Sequence, residues 1–206
     1  MDRVRLTRAE RRDATRERLI DAARVIFAEK GYAAASVEDL AAAAGHTRGA
    51  FYSNFRGKAD VLFELLRRDR DEAAAALQRI VGSHDPADDA QRAMLAYWRR
   101  DTTPPAARLM WLDAQLQAAR DPRFRARFGA LLRDRQALAA ACIDAYAARA
   151  GVSLPLPTLV LALGLTALGD GMHSHGAAEA RPTADTLADT VLVGFITHTV
   201  FDRVRG

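Results

Sequence analysis

The segment TRGAFYSN brings hydrogen-bonding and small residues into one short stretch, namely Thr47, Arg48, Gly49, Tyr52 and Asn54. The guanidinium of arginine and the amide of asparagine match the donors and acceptors on base edges, and hydroxyl groups donate to phosphate oxygens. A glycine among them removes a side chain that would hold the backbone away from a partner. These residue types indicate recognition of nucleic acid.

Two short helices are predicted to position these residues. Ser36 can N-cap the first helix, with Asp39 three residues later in an arrangement like a capping box. Gly45 can end that helix in a left-handed turn, and Thr47 can N-cap the next one. Two helices joined by a tight turn that contains glycine suit insertion of the second helix into a DNA major groove.

The second helix is predicted to turn its aromatic side chains inward. Phe51 and Phe55 lie at positions i and i+4, which share one face of a helix. That arrangement leaves Arg48, Gly49 and Tyr52 free of the core, together with Asn54. We therefore expect this helix to be the one that reads DNA.

A family resemblance follows from the longer motif T-R-G-A-F-Y-S-N-F-x-x-K-x-x-L, preceded by A-A-x-x-x-F-A-x-K-G-Y and S-V-E-D-L-A-A-A-A-G. Over about residues 15–66 the chain resembles the DNA-binding domain of the TetR family of bacterial transcriptional regulators. Many relatives carry histidine where this chain has Asn54, which can still donate to a phosphate or read adenine. The residues expected to contact DNA are Ser36, Thr47, Arg48, Gly49, Tyr52, Asn54 and Lys58.

Composition predicts an all-α protein whose basic excess lies at the N-terminal end. Half of the 206 residues are apolar, with alanine and leucine dominant, and strand-favouring runs are scarce. Residues 1–70 hold 15 Lys and Arg against 11 Asp and Glu, whereas residues 71–206 hold 15 of each. The net charge of +4 therefore lies entirely in the segment with the two-helix motif, as phosphate binding requires.

The pattern predicts two domains and about nine helices. Residues 1–57 form a three-helix, helix-turn-helix DNA-binding domain with a basic arm over residues 1–12. Residues 58–206 form a helical ligand-binding and dimerisation domain, which residues 58–81 link to the first domain as a fourth helix. Further helices are predicted over about 86–100, from Thr103 onward, and from Pro122 to about residue 150.

The last two predicted helices, over about 158–178 and 183–204, indicate a homodimer. Both are apolar around much of their circumference, and Gly164, Gly169, Gly171 and Gly194 allow helices to approach closely. Pairing two copies into a four-helix bundle buries both faces, and this is what the family resemblance implies. The alternative is a pair of interior helices in a monomer.

The resemblance also implies a small-molecule effector site in the second domain. Pockets between helices are usually apolar with a few polar anchors, and the residues that fit are Met94, Trp98, Met110, Trp111, Gln115 and Tyr146. Asp113 is another candidate anchor. Methionine and aromatic residues at helical spacing also serve as core, and that alternative stays open for each of them.

No catalytic, cofactor or metal site is predicted. The sequence has no glycine-rich phosphate loop, no H-E-x-x-H and no CxxC. His173 and His175 are two positions apart and face different directions on a helix, so they cannot chelate one metal. A single cysteine, Cys142, together with the absence of a signal-peptide pattern or a membrane-spanning run, predicts a cytoplasmic protein.

The sequence thus predicts a non-enzymatic, ligand-responsive regulator that binds a palindromic DNA operator as a homodimer. The favoured mode is repression, with release of the operator by a small molecule. The alternative is a DNA-binding protein without such a switch, acting architecturally or under the control of a protein partner.

Overall fold

The computed structural model describes residues 7–82, 105–178, 190, 191, 193–195, 197 and 198. Within these residues all regular elements are helical, which confirms the all-α prediction. The helices are α1 Arg8–Ala34, α2 Val37–Ala43, α3 Arg48–Tyr52, α4 Lys58–Gly82, α5 Pro105–Arg120, α6 Pro122–Ala150 and α7 Thr158–Ala178. The described residues from 190 to 198 are also helical. The predicted helix over 86–100, with Met94 and Trp98, and most of the predicted last helix lie outside the described residues.

The first helix begins earlier than the predicted basic arm allowed. Thr7 N-caps α1: its hydroxyl accepts the amide of Glu10 at 3.2 Å, and its own amide donates to the Glu10 carboxylate at 2.6 Å. This reciprocal capping box satisfies two amides that a helix start leaves unpaired. Arg8, Arg11 and Arg12 are therefore helical, and the prediction of an arm over residues 8–12 is wrong.

The first helix is interrupted at Gly31. Gly31 has φ +75° and ψ 157°, a combination that is essentially restricted to glycine. One further turn continues to Ala34 before Ser36 starts α2. The interruption leaves backbone groups near Tyr32 that need partners from elsewhere in the fold.

One compact unit contains residues 7–69 and 105–128. Helix α5 packs against α1 within this unit. Its core includes the fully buried side chains of Leu19, Ile20, Phe27, Leu40, Phe51, Leu62, Leu65, Leu66 and Met110. The ring of Phe63 on α4 lies 4.7 Å from that of Phe124 at the start of α6. Helices α1, α2 and α3 thus share one core with α5.

Ion pairs join α1 to α4 around that core. Arg68 contacts both carboxylate oxygens of Glu17, at 2.6 and 2.7 Å, and Arg24 contacts Asp69 at 2.7 Å. A bidentate arginine–carboxylate pair fixes direction as well as distance. The predicted domain boundary between residues 57 and 58 is not tested by these contacts and stays a prediction.

The second compact unit contains the described residues of 70–82 and 129–198. Its apolar cluster lies between α6 and α7 and consists of Ala140, Ile143, Tyr146, Leu161, Ala162 and Leu165. Cys142 is also buried, and burial raises the pKa of its thiol, as expected for a small core residue. A Cβ atom on Gly164 would lie 3.0 Å from the Phe195 ring, so glycine allows the close approach of these helices.

An exposed apolar stripe follows α7. Leu159 is 64 % exposed and Leu163 is 52 % exposed, and Ala167 and Gly171 continue the same face at intervals of four residues. Successive positions four apart lie above one another on a helix. The stripe is therefore continuous over three turns within this unit.

The described residues include neither a membrane-spanning helix nor a cluster of metal-binding side chains. No described helix has the length and apolar character needed to cross a lipid bilayer. The same part of the chain holds no group of three or more histidine, cysteine or acidic side chains arranged to bind a metal ion.

Candidate nucleic-acid interface

Local hydrogen bonds build the two-helix motif as the sequence predicted. Ser36 N-caps α2, and its hydroxyl accepts the Asp39 amide at 3.1 Å while the Asp39 carboxylate accepts the Ser36 amide at 2.9 Å. Gly45 has φ +69°, the left-handed conformation that ends α2. The hydroxyl of Thr47 then accepts the Ala50 amide at 3.2 Å and caps α3. These capping and turn predictions are confirmed.

Asp39 also carries an ion pair that reinforces this motif. The Lys30 ammonium lies 2.6 Å from the Asp39 carboxylate. This contact, followed by the hydrogen bonds from Ser36, holds the pKa of Asp39 far below its ordinary value. The carboxylate is therefore charged at neutral pH and occupied by partners on its own side of α2.

The inward and outward faces of α3 separate cleanly. Phe51 is fully buried and Phe55 nearly so, and their ring centroids are 5.7 Å apart. Arg48, Gly49 and Tyr52 are exposed, with Tyr52 at 48 %. A Cβ atom on Gly49 would meet only the Thr47 hydroxyl, at 3.7 Å, so the fold itself does not need a glycine there.

The Arg48 guanidinium is held by two neighbours. Its Nη1 lies 2.8 Å from Oε1 of Glu38 on α2, and its central carbon lies 5.5 Å from the centre of the Tyr52 ring. Hydrogen bonding to Tyr52 and then the charge of Glu38 raise the pKa of Arg48 above its usual value. The Arg48 and Glu38 side chains stay 64 % and 58 % exposed, so both face solvent.

Ser36 and Asn54 are engaged within the protein. The Ser36 hydroxyl lies 2.7 Å from Asp39 Oδ2, and Asn54 Nδ2 donates to the Ala50 carbonyl at 2.9 Å. Asn54 Oδ1 is buried, with no hydrogen-bond partner among the described residues. An amide nitrogen has two hydrogens, so Asn54 Nδ2 can donate to DNA while it keeps its bond to Ala50, and its predicted contact remains a prediction.

Lys58 is placed differently from an outward phosphate ligand. Its ammonium donates to the carbonyl oxygens of Tyr32, Ala33 and Ala35, at 2.7, 3.1 and 2.8 Å, and lies 4.6 Å from the centre of the Tyr32 ring. An ammonium has three donors, and these contacts use all of them. Burial lowers the pKa of Lys58, and the charge of Asp113 opposes that shift.

Asp113 on α5 supplies an acceptor for a backbone amide that the interruption in α1 leaves unpaired. Its Oδ2 accepts the Tyr32 amide at 2.7 Å, and the same oxygen would lie 3.5 Å from a Cβ on Gly31. Lys58 thus donates to carbonyl oxygens at the end of α1, while Asp113 accepts an amide there. The role of Asp113 as an effector anchor remains a prediction.

Comparison with known proteins agrees with the geometry. Residues 19–65, which run from α1 into α4, match the family model described as bacterial regulatory proteins, tetR family. Residues 19–65 thus resemble the TetR family. The match covers the two-helix motif and the helices that support it.

Two repressors of Mycobacterium tuberculosis are similar in sequence to parts of this chain. The HTH-type transcriptional repressor Rv1474c is 42 % identical over 66 residues, covering 32 % of this chain and 35 % of that protein. The HTH-type transcriptional repressor KstR2 is 32 % identical over 125 residues, covering 60 % of each protein. The matches thus span about one third and three fifths of these repressors, and the first is confined to a segment of the chain.

A solved structure shares the fold of this chain over a longer range. A transcriptional regulator from Saccharomonospora viridis, in complex with choline, superposes with a TM-score of 0.71 over 90 % of this chain and 97 % of its own. Its sequence is 21 % identical. At that identity the similarity establishes the fold.

The predicted effector residues that the structure describes divide between the two units. Met110 is fully buried on α5 in the first unit, and the adjacent Trp111 is partly exposed with its ring 5.7 Å from that of Phe128. Gln115 is exposed, and Tyr146 lies in the apolar cluster of the second unit. Their role in binding an effector remains a prediction.

Sequence reasoning missed Glu38 and the role of Asp113. Glu38 sits in the first turn of α2, where an acidic residue is expected for helix stability alone. Its pairing with Arg48 across the turn follows no spacing rule of a single helix. Asp113 contacts a residue 81 positions away, and such a pair becomes visible only once α5 is packed against α1.

Proposed function

We propose that this chain is a ligand-responsive transcriptional regulator, most simply a repressor, that binds a palindromic operator as a homodimer and is released by a small molecule. The carrying observation is α3, which buries its two aromatic residues and presents Arg48, Gly49 and Tyr52 to solvent. That face suits a DNA groove. The named repressors among its relatives support the same reading, and no enzymatic role is proposed.

The proposed contacts divide into positioning and reading. Thr47 and Tyr52 meet the sugar–phosphate backbone or, for Tyr52, a thymine methyl group. Arg48 reads a base edge, and Gly49 lets the helix approach the groove closely. Ser36, Asn54 and Lys58 remain candidate contacts. The Ser36 hydroxyl and the Lys58 ammonium would first have to leave their partners inside the protein.

Arg48→Ala tests the DNA-reading role. We expect the variant to lose about 1–3 kcal/mol of operator affinity and to lose sequence preference at one position of each half-site. Selection from random DNA supplies the operator, which should be an inverted repeat with half-site centres about 34–36 Å apart. Fluorescence anisotropy with the operator and its single-base variants measures the change.

An exposed arginine of the second unit provides the control for that experiment. Arg133→Ala, on α6 in the second unit, removes the same charge and should bind the operator like the wild type. Unchanged operator affinity and preference in Arg48→Ala would show that α3 does not read DNA through this residue.

The proposed dimer pairs α7 and the last helix with their copies. The stripe of Leu159, Leu163, Ala167 and Gly171 is exposed in a single chain and has the apolar, small-residue character of a helix–helix contact. A two-fold pairing places the same stripe on both sides of the interface. We therefore propose that a second copy covers this face.

The proposed effector acts through α5. This helix belongs to the same compact unit as the DNA-binding helices, and Asp113 bonds to the end of α1 directly. A molecule bound beside Trp111 would displace α5 and disturb that hydrogen bond. A preference of about 2.7 kcal/mol for the displaced state lowers operator affinity about 100-fold.

Tryptophan fluorescence tests that placement. In a Trp98→Phe background Trp111 is the only tryptophan, and we expect a compound that releases the operator to change its emission. By linkage, operator DNA should weaken binding of the compound by the same factor as the compound weakens DNA binding. Release of DNA without a change in Trp111 emission, and with unchanged compound affinity in Trp111→Phe, would move the effector site elsewhere.

A further inference from the structure

An acidic residue stands beside the arginine that is proposed to read DNA. The Glu38 carboxylate lies 2.8 Å from Arg48 Nη1, and both side chains are more than half exposed. Exposed ion pairs contribute little to folding stability. A carboxylate at this surface also repels the phosphates that a DNA-binding face has to approach. Glu38 stabilises the start of α2 as an acidic first-turn residue, but its ion pair with Arg48 adds little to the fold and reduces DNA affinity, so the pair calls for a functional explanation.

The other groups around this pair make Glu38 the specific partner of Arg48. The neighbouring carboxylate of Asp39 is taken up by Lys30 and by Ser36. On the other side of the guanidinium lies the Tyr52 ring, 5.5 Å from its central carbon. Two restraints from two helices therefore fix the guanidinium, and only Glu38 among them carries a charge that competes with DNA.

Arginine binds phosphates and bases with different geometry. When Arg48 binds a phosphate of the DNA backbone, it exchanges one anion, the Glu38 carboxylate, for another, and the strength of that contact depends on salt. A guanine edge offers two acceptors to the guanidinium at once and carries no net charge. The Glu38 carboxylate beside Arg48 therefore repels an approaching phosphate and does not repel the guanine edge in the same way.

We propose that Glu38 is a specificity determinant. Its carboxylate opposes binding of Arg48 to the sugar–phosphate backbone and leaves Arg48 able to bind a base edge with two acceptors. This inference rests on the proposed DNA-binding function and adds to it a residue on α2. Glu38 acts by suppressing binding to incorrect sequences, since removing it should help random DNA more than the operator.

Glu38→Gln is the direct test, because it removes the charge and keeps the shape. We expect affinity for random duplex DNA to rise about tenfold and operator affinity to change less than about threefold, so that the specificity ratio falls. The salt dependence of random-DNA binding should steepen by about one unit in the log–log slope. Anisotropy titrations over a salt series measure all three quantities, and a thermal melt should match the wild type.

Two further variants separate this role from a general charge effect. Glu29→Gln changes the net charge equally, at an exposed residue of α1, and should raise random-DNA affinity much less. In an Arg48→Ala background the effect of Glu38→Gln should shrink to that of Glu29→Gln. Coupling between positions 38 and 48 is thereby measured as a double-mutant cycle.

The outcomes are distinguishable from failure of the proposed function. If the wild-type protein shows no preference for any selected sequence, the DNA-regulator proposal itself fails. If the wild type is selective but Glu38→Gln strengthens operator and random DNA equally, or acts unchanged without Arg48, the proposal for Glu38 is overturned and the regulator proposal stands.

Discussion

A Leu163→Glu variant is expected to be monomeric and to lose operator affinity by a factor of about 100 or more. The substitution places a charge in the middle of the exposed stripe on α7, where a second copy would otherwise cover it. Two linked half-site contacts exceed the affinity of one by about 10²–10⁴-fold, and a monomer forfeits that gain. Light scattering measures the mass, and anisotropy with the full palindrome and a single half-site measures the affinities.

The half-site measurement supplies an internal reference. Leu163→Glu should bind an isolated half-site as the wild type does, because α3 is unchanged. Leu109→Glu makes the same substitution at a residue of α5 that is 45 % exposed, and should leave the mass of the wild type intact. A dimeric Leu163→Glu protein with full operator affinity would place the subunit contact on another surface.

Lys58→Met is expected to lower the free energy of unfolding by about 2–3 kcal/mol. The ammonium donates to three carbonyl oxygens where α1 ends, and a thioether cannot replace a charged donor there. Loss of charge-assisted hydrogen bonds that leaves acceptors without a donor carries a cost of this size. Chemical denaturation of the full-length protein measures the effect.

Lys30→Met is the matched control, since it makes the same substitution in the same unit. Lys30 forms one surface ion pair with Asp39 and is 47 % exposed, so about 1 kcal/mol or less is expected. The result also decides between two roles for Lys58. Wild-type stability together with weaker binding to all DNA and a flatter salt dependence would identify Lys58 as a phosphate ligand and contradict its structural role.

The sequence was sufficient where a few neighbouring residues determine the structure. The caps at Ser36 and Thr47 and the left-handed glycine at position 45 each depend on bonds that reach no more than about four residues. The inward direction of Phe51 and Phe55 follows from the helical repeat. These local features were enough to predict which face of α3 is exposed.

The sequence was insufficient where distant segments share one core. Nothing local indicates that α5 packs with the DNA-binding helices, because its apolar residues would suit any helical bundle. For the same reason the hydrogen-bond partners of Asp113 and Lys58 could not be predicted from the sequence. Both are polar residues whose partners are chosen by tertiary packing, and here the partners are backbone groups exposed by the interruption at Gly31.

The hydrogen bond from Tyr32 to Asp113 also orders events during synthesis of the chain. At about 5–20 residues per second, the 81 residues between them take roughly 4–16 s to translate. For most of that interval, once α3 has been translated, a nascent chain carries its complete helix-turn-helix sequence but lacks the acceptor for the Tyr32 amide. A ribosome-bound or truncated product that stops before α5 therefore has an unfinished DNA-binding unit, and completion of that unit waits on a helix encoded well downstream of it.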